Sequence, residues 1–251
     1  SDLSLINCIL ITLILENKHK IDYALKIFCK NFNIKSKINI NSNLIRHLVA
    51  LRISGKFLNS EAEIVESRSN IKISRIFLIK NKINKKIFQN KSFNYISSKL
   101  KILHSSPKLS KNSYNSIVNA DIILFCPGTQ HSSLYPTYMS NGFEKALIEN
   151  VKCKKIFITN IGADYETPKY DAFDYLKGAY NYITNFDGKN NFNKFFDLVL
   201  INKAKIKSKV NYVKFSKEHF LKNKINYVYD DFEKQKKPGF HDIKKIYKYL
   251  K

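Results

Sequence analysis

Seven glycines and five prolines in 251 residues leave few places where the backbone can turn freely. Tryptophan is absent and methionine occurs once. There is no GxGxxG fingerprint, no GKS or GKT phosphate loop and no GxSxG nucleophile elbow, so the commonest glycine-built routes to dinucleotide binding, phosphate cradling and serine hydrolysis are missing. The four cysteines, Cys8, Cys29, Cys126 and Cys153, lie far apart without a CxxC pair and indicate neither a zinc site nor a disulfide framework. Reduced thiols in a cytoplasmic protein are the simplest expectation.

Long apolar runs are lacking too. Residues 3–15 form a run of 13, interrupted by Ser4, Asn7 and Thr12, against the ~20 apolar residues that a spanning helix needs. The expectation is a buried helix in a soluble protein with no membrane partner. At 44% hydrophobic residues the chain can bury a substantial core without covalent staples.

Acidic residues are scarce relative to basic ones, 20 against 44, which gives a formal net charge of +24. A field of that size attracts anions. Only Arg46, Arg52, Arg68 and Arg75 among the basic residues are arginine, however, and the lysines are spread along the whole chain. Arginine is the residue suited to bidentate recognition of phosphate and base edges, so its scarcity argues against a nucleic-acid partner and for solvated lysine faces.

Periodicity predicts helices over residues 3–15 and 21–32, the second with Tyr23, Ala24, Ile27 and Phe28 on one stripe. A strand-rich stretch follows, with Ile38 and Ile40, then 48–53, 57–65 and 73–78 as strands and a hairpin turn at Ser54–Gly55. Residues 80–111, dense in Lys, Asn and Ser, read as a surface connection with a short helix at most. Beyond it, a helix at 113–119, a buried parallel strand at 121–126, a helix at 143–150 and a strand at 155–159 alternate. A helix at 170–183, strands at 197–201 and 227–229 and a closing helix at 241–250 complete the chain. Such alternation implies an α/β domain with a mostly parallel sheet flanked by helices, plus a strand-rich insertion in its first third.

What is there, in spite of the glycine shortage, is a concentration of small polar residues after the apolar run Ile122–Phe125. "FCPGTQHSSLYPTYMSNGFEKAL" places Gly128, Thr129, Gln130, Ser132 and Ser133 where an open α/β sheet collects its ligands, at the carboxyl end of a strand. Gly128 lets backbone approach a ligand, and hydroxyls and amides suit phosphate. The plain alternative is a strand-to-helix turn whose serines cap the next helix.

A second turn, residues 160–167, follows the next strand. It places Asn160, Asp164, Glu166 and Thr167 at the neighbouring strand end, able to bind ribose hydroxyls, hold magnesium through water or act on a proton. Its plain alternative is a carboxylate opening the next helix. His131 beside Ser132 and Ser133 is discounted as a hydrolase pair, because successive loop residues point in different directions.

"ADIILFCPGTQHSSLYPTYMSNGFEKAL" followed by "KKIFITNIGADYETPKYDAFDYLKGA" resembles the 2-phospho-L-lactate transferase (CofD-like) family, which includes the gluconeogenesis factors (YvcK-like). The matching positions are Asp121, Pro127, Gly128, Thr129, Ser133, Pro136, Gly142, Asn160, Glu166, Thr167 and Asp174. Fainter likeness extends to "SLINCILITLIL", with Asn7 on the Asn of an SLGN-like helix, to "EAEIVESRSNIKISRIFL" and to "PGFHDIKKIYKYL". Family members begin with a strand and a GGTG-like turn, whereas this chain opens at the SLGN-like helix. It is therefore expected to be one CofD-like domain over residues 1–251, N-terminally incomplete or shortened, with an unpaired sheet edge that invites a homo-oligomer.

The resemblance implies a Rossmann-like fold and a ligand carrying a nucleotide diphosphate. In the transferase branch, a phosphorylated hydroxy acid moves from a GDP-linked donor to the hydroxyl of a deazaflavin, with Mg2+ at the diphosphate. In the regulator branch, the same pocket holds a UDP-sugar without reaction. Gly128, Thr129, Ser132 and Ser133 are then expected at the phosphates, Asn160, Asp164 and Glu166 at ribose, metal or acceptor hydroxyl, and Gln130, Thr167 and Asn7 as further residues binding the phosphate or nucleotide.

Overall fold

The structure is a computed structural model and describes residues 4–205 and 210–250. Two helices lead the chain, α1 (Leu5–Glu16) and α2 (Ile21–Asn31). Ser4 caps α1 by accepting from the Asn7 amide. The expectation of a buried first helix is corrected: no residue of α1 is buried, and Leu5 is 76% exposed. Its apolar side chains run all round the helix, so no single stripe turns inward as a unit. On α2 the buried stripe is Ala24, Leu25 and Phe28, while Tyr23 lies 55% exposed.

Residues 34–46 are not strand, although Ile38 and Ile40 suggest one. The Ile40 carbonyl accepts from the hydroxyls of Ser110 and Ser113, and the Asn41 carbonyl from the Ser110 amide. These acceptors are committed to the first turn of a later helix, not to a strand ladder.

Strands β1 (His47–Arg52), β2 (Phe57–Leu58) and β3 (Ile73–Ile79) form an antiparallel sheet ordered β2-β1-β3. Gly55, at φ +85°, makes the turn between the first two. The strand expected over 57–65 stops after Leu58, where α3 (Glu61–Glu66) begins. Ser60 Oγ accepts from the Glu63 amide, and Glu63 returns a carboxylate to the Asn59 amide. That local capping outweighs the apolar pattern. The 80–111 connection holds more than a short helix: α4 (Phe93–Leu103) runs 11 residues and buries Ile96 and Leu100.

The main sheet follows α5 (Lys111–Val118). Its strands are β4 (Ile122–Phe125), β5 (Lys154–Ile158), β6 (Leu198–Asn202) and β7 (Tyr227–Asp230), all parallel and in chain order. Helices α6 (Tyr135–Tyr138) and α7 (Phe143–Glu149) connect β4 to β5, α8 (Ala172–Ile183) connects β5 to β6, and α9 (Lys217–Lys222) connects β6 to β7. Gly142, at φ +101°, sits at the start of α7, in a conformation that a side chain would strain. The strand after residue 121 is parallel as expected but not buried throughout. It lies at the edge of the sheet, with Ile122 exposed and only Phe125 fully interior.

Phe125, Phe157 and Phe196 meet ring to ring beneath the sheet, and Tyr135, Tyr175 and Tyr180 extend that core toward α8. A hairpin of β8 (Glu233–Lys234) and β9 (Lys237–His241) precedes the closing helix and takes His241, the first residue expected of it; α10 runs over Ile243–Tyr247, shorter than the expected 241–250. The architecture is α/β and Rossmann-like, with an antiparallel sheet inserted in the first third. Among the described residues no helix is long and apolar enough to cross a membrane.

Candidate functional site

The register of the sheet decides where the two polar turns meet. Phe125 of β4 pairs with Phe157 of β5, so Gly128 and Asn160 stand equally far beyond the same rung. The two residues are hydrogen-bonded reciprocally. The Gly128 amide donates to Asn160 Oδ1 (3.1 Å), and Asn160 Nδ2 donates to the Gly128 carbonyl (3.0 Å). Gln130 Nε2 adds a bond to the same carbonyl (2.9 Å). Asn160 thus works as a backbone mimic that closes the gap between two strand ends.

Beyond Gly128 the chain makes one wide turn over Gln130–Leu134, in which the Leu134 amide reaches back to the Thr129 carbonyl five residues away. Wide turns of this kind recur at functional positions. Pro136 at the start of α6 needs no amide donor there. The wide turn leaves two amides pointing at one carboxylate: His131 N–H (2.9 Å) and Ser132 N–H (3.0 Å) both donate to Glu166 Oε2, and Ser132 Oγ donates to Oε1 (2.5 Å). Glu166 is 2% exposed. Burial pushes its carboxyl above the ordinary carboxylate range, against the hydrogen bonds from Ser132.

The second turn is organised around Asp164. Its Oδ1 accepts from the Glu166 amide (2.9 Å), the Thr167 amide (3.0 Å) and Thr167 Oγ1 (2.9 Å). Thr167 is wholly buried and also meets the Tyr175 hydroxyl at 2.6 Å. Asp174, four residues into the next segment, pairs with Asp171 as a capping box for α8 and holds Lys72 at 2.9 Å.

Under the junction lie interior polar groups. The His131 ring is buried against Tyr135 and Tyr170; its Nε2 stands 3.5 Å from the Tyr170 hydroxyl, and its Nδ1 has no partner. Burial, reinforced by the nearby Arg52 guanidinium, pushes the His131 pKa down to about 3, so the ring is neutral. Arg52 itself is 1% exposed. It donates to the carbonyls of Ser67 and Ile71 and to Ser67 Oγ.

Beside the second turn opens a cleft of about 750 Å³. Its walls are residues 68–70, the stretch from Ala163 to Asp171, and the segment 211–214, whose backbone pairs with the second turn and the start of α8.

The structure therefore brings together Gly128, Gln130, Ser132, Asn160, Asp164, Glu166 and Thr167, but not in the roles expected of all of them. The amides of Gly128 and Ser132, expected at a phosphate, already donate within the protein, and Gln130, Glu166 and Thr167 face inward as framework. Thr129 and Ser133 are exposed, their hydroxyls 2.7 Å apart. Asn7 sits apart on exposed α1, with no hydrogen bond to either turn among the described residues. Sequence reasoning missed Arg52, Tyr170 and every cleft residue except Asp164, because they come from segments far apart in the chain.

A family model described as 2-phospho-L-lactate transferase CofD matches residues 4–246. Two solved structures of the protein BH3568 from Bacillus halodurans, a member of the UPF0052 family, superimpose with TM-scores of 0.75. They are 20% and 19% identical to this chain, which is covered completely while accounting for 73% and 72% of theirs. No curated protein matches. The structural likeness establishes the fold. With the family match spanning nearly its whole length, the chain belongs to the 2-phospho-L-lactate transferase CofD family.

Proposed function

We propose that the chain is a group transferase that holds a nucleotide-linked diphosphate at the rim formed by the two turns and passes a phosphorus-containing group to a hydroxyl acceptor. The acceptor oxygen attacks the terminal phosphorus and loses its proton. The bond between that phosphorus and the bridging oxygen breaks, and the nucleotide departs as its monophosphate. The observation that carries the reading is the junction itself: turns from adjacent parallel strands are stitched at their carboxyl ends, with Thr129 and Ser133 hydroxyls outermost. In phosphoryl transfer the protein's work is mostly positioning and charge neutralisation, which a rigid rim on a strongly basic molecule suits.

Magnesium does not fit the residues as a preformed site. Asp164 Oδ1 already accepts three hydrogen bonds, both Glu166 oxygens are engaged, and among the described residues no cluster of three His, Cys, Asp or Glu is arranged for a metal. No step is assigned to it.

One observation favours a second reading, a binder of UDP-sugars without turnover: the amides of His131 and Ser132 are spent on Glu166, which leaves fewer donors for a transition-state charge. Calorimetric titration with GDP and with a UDP-sugar tests binding. Incubation of a nucleotide-linked phospho-hydroxy-acid donor with a hydroxyl acceptor then tests transfer, for which nucleoside monophosphate is the expected product. A donor returned intact by protein that binds it selects the second reading, and absence of heat with every nucleotide removes both.

A further inference from the structure

We propose that the cleft beside the second turn is a binding site for a small aromatic anion, a flat ring carrying a phosphate or carboxylate. This stands on the cleft alone and does not depend on transfer at the rim.

Three features argue for it. The first is rigidity, since each wall is fixed from behind. Buried Arg52 clamps the carbonyls of Ser67 and Ile71, the residues that flank the 68–70 wall on either side. Asp164 folds the second wall through its three accepted hydrogen bonds. The third wall is tied down by Ala163 N–H to the Asn211 carbonyl, Val213 N–H to the Ile161 carbonyl and Ala172 N–H to the Lys214 carbonyl, and by the Tyr212 hydroxyl donating to fully buried Glu233. A cleft of about 750 Å³ with such walls has the size and preformed character of a small-molecule site.

The second feature is charge. Arg68, Lys169 and Lys214 line the cleft from three separate segments, and none forms an ion pair with a carboxylate among the described residues. Two carboxylates also line the cleft, Asp164 and Asp171, each bound internally through Oδ1, so the cations outnumber them three to two. The cations are open to a ligand. The third feature is aromatic surface. Tyr165, Tyr170 and Tyr212 contribute rings, and Arg68 already lies over the Tyr165 ring at 5.3 Å. A guanidinium held flat on a ring keeps its edge available for a bidentate oxyanion, while neighbouring rings accept a flat body.

The test uses 1-naphthyl phosphate, 1-naphthoate, 1-naphthol and inorganic phosphate as probes, titrated by fluorescence or calorimetry into the full chain. Either naphthyl anion is expected to bind at least tenfold more tightly than naphthol or inorganic phosphate, and the phosphate and carboxylate arms distinguish the acid. In the double variant Arg68→Ala/Lys214→Ala, both exposed positions, that affinity should fall about tenfold or more, as loss of two charge-assisted contacts implies. It should stay unchanged in Lys85→Ala/Lys86→Ala, where two lysines of a different surface are removed. Overturning results are no binding of either anion, naphthol binding as well as the anions, equal affinity in the Arg68/Lys214 variant, or equal loss in the Lys85/Lys86 control, which would mark a response to net charge alone.

Discussion

Replacing Glu166 by alanine isolates the contact on which the two-turn junction rests. The substitution removes the acceptor of two backbone amides and one hydroxyl. The His131 amide belongs to a buried residue, and a buried donor left without a partner costs about 1–3 kcal/mol. Ser132 is half-buried, so water can partly replace its partner and the lower end of the same range applies. The expected loss for Glu166→Ala is therefore about 2–4 kcal/mol.

Glutamine keeps one carbonyl oxygen for the two amides and places an N–H2 group beside Ser132 Oγ, so Glu166→Gln gives up only the fit of the second oxygen and should cost about 1 kcal/mol or less. Urea titrations of the three proteins, compared at unchanged m-value, read the difference, and the amide resonances of His131 and Ser132 report whether the wide turn keeps its shape. If Glu166→Ala stays within about 0.5 kcal/mol of wild type, or the glutamine variant loses as much as alanine, the carboxylate is not what joins the turns.

The same residue makes a pH prediction. Its folded pKa is raised, so its favourable contribution is complete below the ordinary carboxylate value and is lost as pH rises through the folded value. The stability gap between wild type and Glu166→Gln should narrow from pH 4 to pH 7, and a gap that widens contradicts the assignment. His131 titrates with the opposite consequence. Its pKa, lowered to about 3, gives stability that is full above the ordinary histidine value of 6.5 and is lost as pH falls from there. His131→Phe, which removes the partnerless Nδ1 and the long 3.5 Å contact of Nε2 with the Tyr170 hydroxyl, should match wild type within about 1 kcal/mol at pH 7 and unfold less readily at pH 5; parallel acid sensitivity in thermal melts would refute this. Finally, a Cβ on Gly178 would overlap the Tyr135 hydroxyl, so Gly178→Ala should destabilise by about 1–3 kcal/mol in spite of its better helix propensity. Tyr135→Phe, whose lost hydroxyl has no partner, removes the worst overlap but leaves the ring carbon Cζ 2.8 Å from the new Cβ, so it should restore only part of that loss in a double-mutant cycle, and simple additivity would show that the clash is absorbed elsewhere.

Much of the fold was legible because it rests on local pattern. The β-strands of the parallel sheet announce themselves as short apolar runs bounded by polar turns, and Gly142 and Pro136 mark their turns by backbone chemistry alone. Where reading failed, a competing local or distant interaction had won. Ser60 and Glu63 capped a helix where apolar residues suggested strand, Ser110 and Ser113 took the Ile40 carbonyl, and α1 stayed exposed because its apolar residues share no face.

The sequence by itself determined that two polar turns follow consecutive strands, because strand period and turn composition are properties of neighbouring residues. Only the tertiary structure decided what those turns do to each other. Parallel pairing of β4 with β5 sets Gly128 against Asn160, and the wide turn then aims two amides at Glu166, so groups that look like ligand donors in the sequence are consumed as framework. The cleft is likewise invisible in the chain order. Arg68, Lys169 and Lys214 become neighbours only when the antiparallel insertion, the second turn and the 211–214 segment close around one volume, and hydrogen bonds between distant backbones, not any local preference, hold them there.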